Sequence, residues 1–181
     1  MSSFLVVMDA NVLVPAVLCD FVLRAASADM YRLVWTDDIL DEVRRTLIID
    51  LDKSVAQAGR RIAAMKAAFP EALITQHTPL IPAMTNDPKD RHVLAAAVAS
   101  GAQVIVTSNI SDFPAESLAP FSIETQTPDQ FLTDLLDLDH EQVRNVLDRQ
   151  AQALHNPPKT VNDILNELAR FAPNFVAQFR A

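Results

Sequence analysis

The sequence predicts an α/β fold, a central parallel sheet wrapped by helices on both faces, followed by a purely helical extension. Three observations carry this. "FLVVMD" (residues 4–9) and "QVIVTS" (103–108) are near-continuous apolar runs of the kind that fill strands buried on both faces. Segments with helical spacing alternate with the strand candidates, which implies parallel strands joined by helical crossovers. From Pro128 onward only helical patterns remain.

Along the chain, the first apolar run ends in an acid, Asp9. Residues 15–28 ("PAVLCDFVLRAASA") follow with helical spacing, and Pro15 suits a first turn, where its missing N–H costs nothing. "RLVWT" (32–36) is a short strand candidate. "DDILDEVRRTLI" (37–48) places Ile39, Leu40, Val43 and Leu47 on one face behind an acidic first turn, with Asp37 or Asp38 as the expected cap. A longer helix is expected over 54–69, stopped by Pro70. Another opens within "NDPKDRHVLAAA" (86–97), and "FSIETQ" (121–126) is a weaker strand candidate. Helices over 128–136, 140–154 and 160–170 complete the chain, with "NPPK" (156–159) as a hard break. The change of pattern near 127 divides residues 1–127 from an extension, 128–181. Its apolar Leu147, Leu154, Ile164, Leu165, Leu168 and Phe171 are expected to pack on the first unit or to form a dimer or partner surface.

Half of the 181 residues are hydrophobic, enough for a substantial core. Two glycines, with neither G-x-G-x-x-G nor a Walker-type loop, argue against a glycine-rich phosphate cradle. The single Cys19 excludes an internal disulfide and a cysteine-based zinc cluster, and it fits a reducing cytoplasm. No leader-like N-terminus or membrane-length apolar run is present, so a soluble cytoplasmic protein is expected. A formal net charge of −8 ordinarily opposes nucleic-acid binding. That objection fails if part of the acidity serves a metal site, where divalent cations cancel it.

The acids are placed accordingly. Asp9 follows the first strand, and ligands of parallel α/β sheets gather at the carboxyl ends of strands. Pro88 fits a first helical position, which makes Asp87 the expected cap and puts Asp90 in the first turn. Val93, Leu94, Ala97 and Val98 share a face with Asp90, so its carboxylate should point inward, whereas His92 falls off that stripe and is expected at the surface. A carboxylate aimed inward needs a base or a metal as partner. "TSNISDF" (107–113) brings Asn109 and Asp112 to the end of the second strong strand. Glu42 lies at the edge of the apolar stripe of its helix; its local context alone favours a structural role. Hard oxygen ligands without cysteine suit Mg²⁺ or Mn²⁺, which can hydrolyse phosphodiesters by activating water and stabilising charge on the reacting oxygens.

Four stretches then carry a resemblance: "MDANVLVPA" (8–16), "VWTDDILDEVRRTL" (34–47), "DPKDRHVLAAAVASGAQVIVTSNISDFP" (87–114) and the tail "LLDLD…NPPKTVNDILNELAR" (135–170). The chain resembles the PIN-domain family of metal-dependent ribonucleases, which includes the toxins of VapBC-type toxin–antitoxin pairs, and its tail resembles that of a longer subgroup. The resemblance implies a three-layer α/β/α fold with an acidic site at the sheet edge. By position, Asp9, Glu42, Asp90 and Asp112 would be the catalytic, metal-binding acids holding one or two Mg²⁺ or Mn²⁺ ions. Asn11, Thr107 and Asn109 would stand around them, with Asp87 as a supporting acid or a pure cap. A metal-activated water would attack single-stranded RNA, and a cognate antitoxin is the implied protein partner. Arg44, Arg45, Arg60, Arg61 and Lys66 are candidate phosphate contacts, although a charge-balanced solvent face accounts for most such residues. Two rival readings remain. One is a catalytically silent module that binds RNA or protein. The other is a phosphatase with Asp9 as nucleophile, which lacks its general acid because Asn11 stands two residues on.

Overall fold

The computed structural model describes residues 4–181. Its sheet contains four parallel strands, β1 (Leu5–Met8), β2 (Arg32–Val34), β3 (Val104–Val106) and β4 (Glu124–Gln126), in the order β2-β1-β3-β4. The two apolar runs are the central pair, and Val6, Val7, Met8, Ile105 and Val106 are fully buried. The weaker "FSIETQ" supplies the edge strand β4, which is only partly covered.

Among the described residues, ten α-helices surround this sheet: α1 (Ala10–Leu13), α2 (Ala16–Ser27), α3 (Asp37–Ile49), α4 (Val55–Ala68), α5 (Arg91–Ser100), α6 (Ala115–Leu118), α7 (Pro128–Leu138), α8 (His140–Ala153), α9 (Val161–Leu168) and α10 (Pro173–Arg180). Because β2 lies on one side of β1 and β3 on the other, right-handed crossovers put α2 and α5 on opposite faces. α5 packs across β1, β2 and β3, and α2 packs on β2, giving helix, sheet and helix layers.

The local signals explain most boundaries. Capping boxes start α4 (Ser54 with Gln57), α7 (Thr127 with Gln130) and α9 (Thr160 with Asp163). Gly101 ends α5 with φ +71°, a conformation that favours glycine. Three expectations need correction. Thr36, not Asp37 or Asp38, caps α3, its hydroxyl accepting from Ile39 N at 3.2 Å. The two acids are engaged elsewhere, Asp37 by Lys66 and Asp38 by His77. Pro15 stands at the cap position of α2, preceded by the short α1, which has no sequence signal of its own. The helix expected from Pro88 begins at Arg91, because residues 88–90 form a separate turn closed by Asp90 N on Asp87 O at 2.9 Å.

The extension packs on the sheet domain. Gln150, buried in α8, donates to Val17 O at 3.0 Å, and Gln142 donates to Ala28 O at 3.3 Å. Leu147, Ile164, Leu165 and Leu168 are buried, whereas Leu154 and Phe171 are partly buried against the same core. Helix α10, absent from the sequence reading, inserts Phe175 edge-on to Phe21 at 5.5 Å. Its N-terminus is capped by Asp129, which accepts from Phe175 N at 3.0 Å. Among the described residues, no helix is long and apolar enough to cross a membrane.

Candidate active site

Strand register assembles the first half of the site. β1 and β3 pair with Met8 opposite Val106, so the residues that follow, Asp9 and Thr107, emerge side by side at the carboxyl edge. Asp9 N donates to Val106 O at 3.0 Å, and the side chains then meet. Asp9 Oδ2 accepts from Thr107 Oγ1 and from Asn11 Nδ2, both at 2.7 Å, while Oδ1 accepts from Ala10 N at 2.7 Å and caps α1. The loop beyond β3 is clipped to the same cluster: Ser108 N donates to Asn11 Oδ1 at 2.9 Å, and Asn109 N donates to Thr107 Oγ1 at 3.0 Å. Asp9 is only 2% exposed. Burial raises its pKa despite the opposing bonds from Thr107 and Ala10.

The second half comes from the start of α5. Asp87 Oδ1 accepts from Lys89 N at 3.1 Å, so Asp87 does punctuate the chain, but it shapes a turn and not the helix itself. Asp90 then occupies the position before Arg91 without capping α5 through its side chain. It is 7% exposed, and its Oδ2 is buried without a hydrogen-bond partner. Burial, the charge of Asp9 and the adjacent Asp112 carboxyl together raise its pKa to about 7. Asp112 is held by the same turn, since its carbonyl accepts from Asp87 N at 3.1 Å and Lys89 Nζ lies 3.4 Å from its carboxylate.

Glu42 reaches the site from α3, as its position at the edge of the apolar stripe allows. His92 is not the surface residue expected. Its side chain is 12% exposed, and Nε2 lies 3.2 Å from Glu42 Oε1. Burial lowers the His92 pKa, but the bond and charge of Glu42, with Asp38 and Asp9, outweigh it and leave the pKa raised. The sequence had no signal for this, because the face of α5 away from the sheet is covered by a 3-10 segment, Thr78–Ala83, remote in the chain. One turn earlier on α3, Asp38 makes a parallel contact with the buried His77, Nε2 to Oδ2 at 2.8 Å.

Asp9, Asn11, Glu42, Asp90 and Asn109 line one open cavity of about 500 Å³, whose outer wall includes Arg45, Thr46 and Ile49. Asp112 does not line it but touches Asp90, and Thr107 lies buried beneath Asp9. The candidate phosphate contacts separate sharply. Arg45 lines the cavity, while Arg44 pairs with Asp41 at 3.2 Å beside a neighbouring depression that both arginines share. Arg60 is exposed on α4 and lines no part of the cavity, and Lys66 pairs with Asp37. Arg61 is a structural residue: it donates to Val14 O at 3.0 Å and Leu13 O at 2.6 Å, satisfying carbonyls that the end of α1 leaves open.

The donor set suits a hard divalent cation, being all carboxylate oxygen, with one desolvated oxygen on Asp90 lacking a partner. Among the described residues, however, no three acid, histidine or cysteine side chains are gathered tightly enough to chelate an ion as they stand.

A parallel α/β sheet with carboxylates grouped at its carboxyl edge defines the class. The chain belongs to the PIN-domain family, whose model matches residues 5–111. Residues 128–181 match a second model, the VapC50 C-terminal domain. Over 101 residues the chain is 46% identical to the protein named "Putative ribonuclease VapC50" of Mycobacterium tuberculosis (strain ATCC 25618 / H37Rv), a match covering 56% of this chain and 60% of that protein. The chain therefore spans less than two thirds of that relative. No solved structure matches the chain significantly.

Proposed function

We propose that the chain is an endoribonuclease that hydrolyses phosphodiester bonds of single-stranded RNA with Mg²⁺ or Mn²⁺. It would act in the cytoplasm as the toxin of a type II pair, with a cognate antitoxin as its protein partner. The observation that carries this is the unpartnered buried oxygen of Asp90, set among Asp9, Glu42 and Asp112. A relative named as a ribonuclease supports the reaction class.

Asp9, Glu42, Asp90 and Asp112 would hold the cation, with side-chain adjustment to bring them together. The cation supplies an activated water and charge neutralisation at the scissile phosphate. The chain's own residues do the rest. Thr107, Asn11 and Ala10 N fix both oxygens of Asp9, so that this carboxylate loses little freedom on binding. Asp90 stays protonated or ionised according to whether a cation compensates its charge. Arg45 at the cavity wall is positioned to meet an RNA phosphate, and the open cavity admits a single strand.

Purified protein should cleave single-stranded RNA in the presence of Mn²⁺ and lose that activity on chelation with EDTA. Asp9→Asn and Asp90→Asn should each abolish it. Cleavage that survives both substitutions would sink the assignment, and RNA binding without turnover under any divalent ion would leave the silent-module reading.

A further inference from the structure

Of the four candidate acids, Glu42 is the one that neither the strand-end cluster nor the turn before α5 holds. Asp9 has donors on both oxygens, and the turn 87–90 ties Asp112 to Asp90. Glu42 is a longer side chain on the middle of α3, about a third exposed, and apart from His92 its nearest basic group is Arg45 at 4.0 Å, itself 63% exposed. A contact that long, from a side chain that mobile, orients little. We infer that His92 is a positioning residue, whose Nε2–H donates to Glu42 and holds that carboxylate at the cavity for a bound divalent cation.

The inference rests on the reading of this cavity as a cation site. The direction of the bond follows from the partners: an ionised carboxylate only accepts, so the proton sits on Nε2. The ring is fixed. It stands in the first turn of α5, two residues after Asp90, and is almost wholly covered. The turn 88–90 and the first turn of α5 that follows it therefore deliver one acid and anchor another from a different helix, so one continuous segment sets the spacing of Asp90 and Glu42. The placement has a cost, because Nδ1 is buried with no partner. His77 carries the same unpartnered Nδ1 and binds Asp38, which does not line the cavity, so what sets His92 apart is that its partner Glu42 does. Outer donors of this sort commonly change metal affinity 10- to 100-fold when removed.

The test is Mn²⁺ titration by calorimetry on the full chain without RNA, with melting in EDTA alongside. Wild type is compared with His92→Gln, His92→Asn, His92→Leu and Asp90→Asn. The amide nitrogen of Gln reaches the position of Nε2, whereas that of Asn stops near Nδ1, out of reach of Glu42. His92→Leu and His92→Asn should weaken Mn²⁺ binding by about 10- to 100-fold. His92→Gln should recover most of the loss, even where all three melt within a few degrees of one another. If Leu does not fold, the Gln and Asn pair carries the comparison alone. Unchanged binding in Asn and Leu, equal weakening in Gln and Asn, or tighter binding in Leu would each overturn the inference. In those cases the cation-site reading stands if Asp90→Asn alone loses Mn²⁺. No Mn²⁺ binding by wild type would overturn both.

Discussion

Asp9 and Asp90 line the same cavity, both almost fully buried, and they are built in opposite ways. Asp9 sits where two strands end, with three donors at 2.7 Å on its two oxygens. Asp90 sits where a turn meets a helix, with a buried oxygen that nothing satisfies. The strand side of the site is thus a finished scaffold, and the helix side is unsatisfied until a positive charge arrives. Burying an unpaired carboxylate is expensive, and the fold has no structural return for it.

The largest expected effect separates activity from stability at these two positions. Asn at either should reduce RNA cleavage by at least on the order of 10³-fold, about 4 kcal/mol of transition-state stabilisation. Melting in EDTA should then divide them. Asp9→Asn turns one of two accepting oxygens into an NH₂ that must face either Ala10 N or the Thr107 and Asn11 donors, and should destabilise by about 1–3 kcal/mol. Asp90→Asn removes an uncompensated charge and should raise Tm at pH 8 by about 2–4 °C. A Tm that falls equally in both variants would show that Asp90 is partnered in solution, and the contrast would collapse.

The same difference has a pH signature. The pKa of Asp90 in the fold is raised to about 7, chiefly by burial, against about 3.9 in an unfolded chain. Between those values the folded state binds more protons than the unfolded state, so stability falls as pH rises. Wild type in EDTA should lose stability between about pH 4 and pH 7, and Asp90→Asn should lack that contribution. Saturating Mn²⁺ should offset the loss above pH 7 in wild type, because a ligand that binds only the folded state stabilises it. Melting curves from pH 4 to 8, with and without Mn²⁺, check both points.

A smaller effect is expected at Thr107, whose hydroxyl donates to Asp9 and accepts from Asn109 N and from Asn11 Nδ2. Thr107→Val keeps the shape and removes all three bonds. It should cost about 1–2 kcal/mol in stability and about 10- to 100-fold in Mn²⁺ affinity. Full retention of Mn²⁺ affinity would mean that Asn11 and Ala10 N alone suffice to fix Asp9.

Much of this arrangement was legible because it is local. Apolar runs named β1 and β3, and strand ends are where a parallel sheet presents ligands, so Asp9 and the Thr107 to Asp112 loop followed. Helical spacing turned Asp90 inward. What was illegible depends on partners far along the chain. Glu42 and His92 are 50 residues apart, and Arg61 reaches carbonyls 47 and 48 residues away. A helical wheel sees which face of α5 meets the sheet, but not that a 3-10 segment covers the other face. It therefore left His92 in solvent. Thr36 is hard to single out as a cap because the acids after it also favour a helix start, and only their ion pairs with Lys66 and His77 remove them from that role.

The smallest effect belongs to Asp87, beside Asp90 in sequence and different in kind. Its carboxylate accepts from Lys89 N within a turn, and its backbone N–H is what ties Asp112 in place. Neither task needs a negative charge: a serine hydroxyl can accept the turn bond, and the backbone bond is independent of the side chain. Asp87→Ser should therefore change stability by no more than about 0.5 kcal/mol and leave Mn²⁺ affinity and RNA cleavage within about twofold of wild type. A tenfold loss of Mn²⁺ affinity without a change in Tm would give Asp87 a share in the charge of the site. In that case the unsatisfied side of the cavity would extend back through the turn, and Asp90 would no longer be the one buried acid there without compensation.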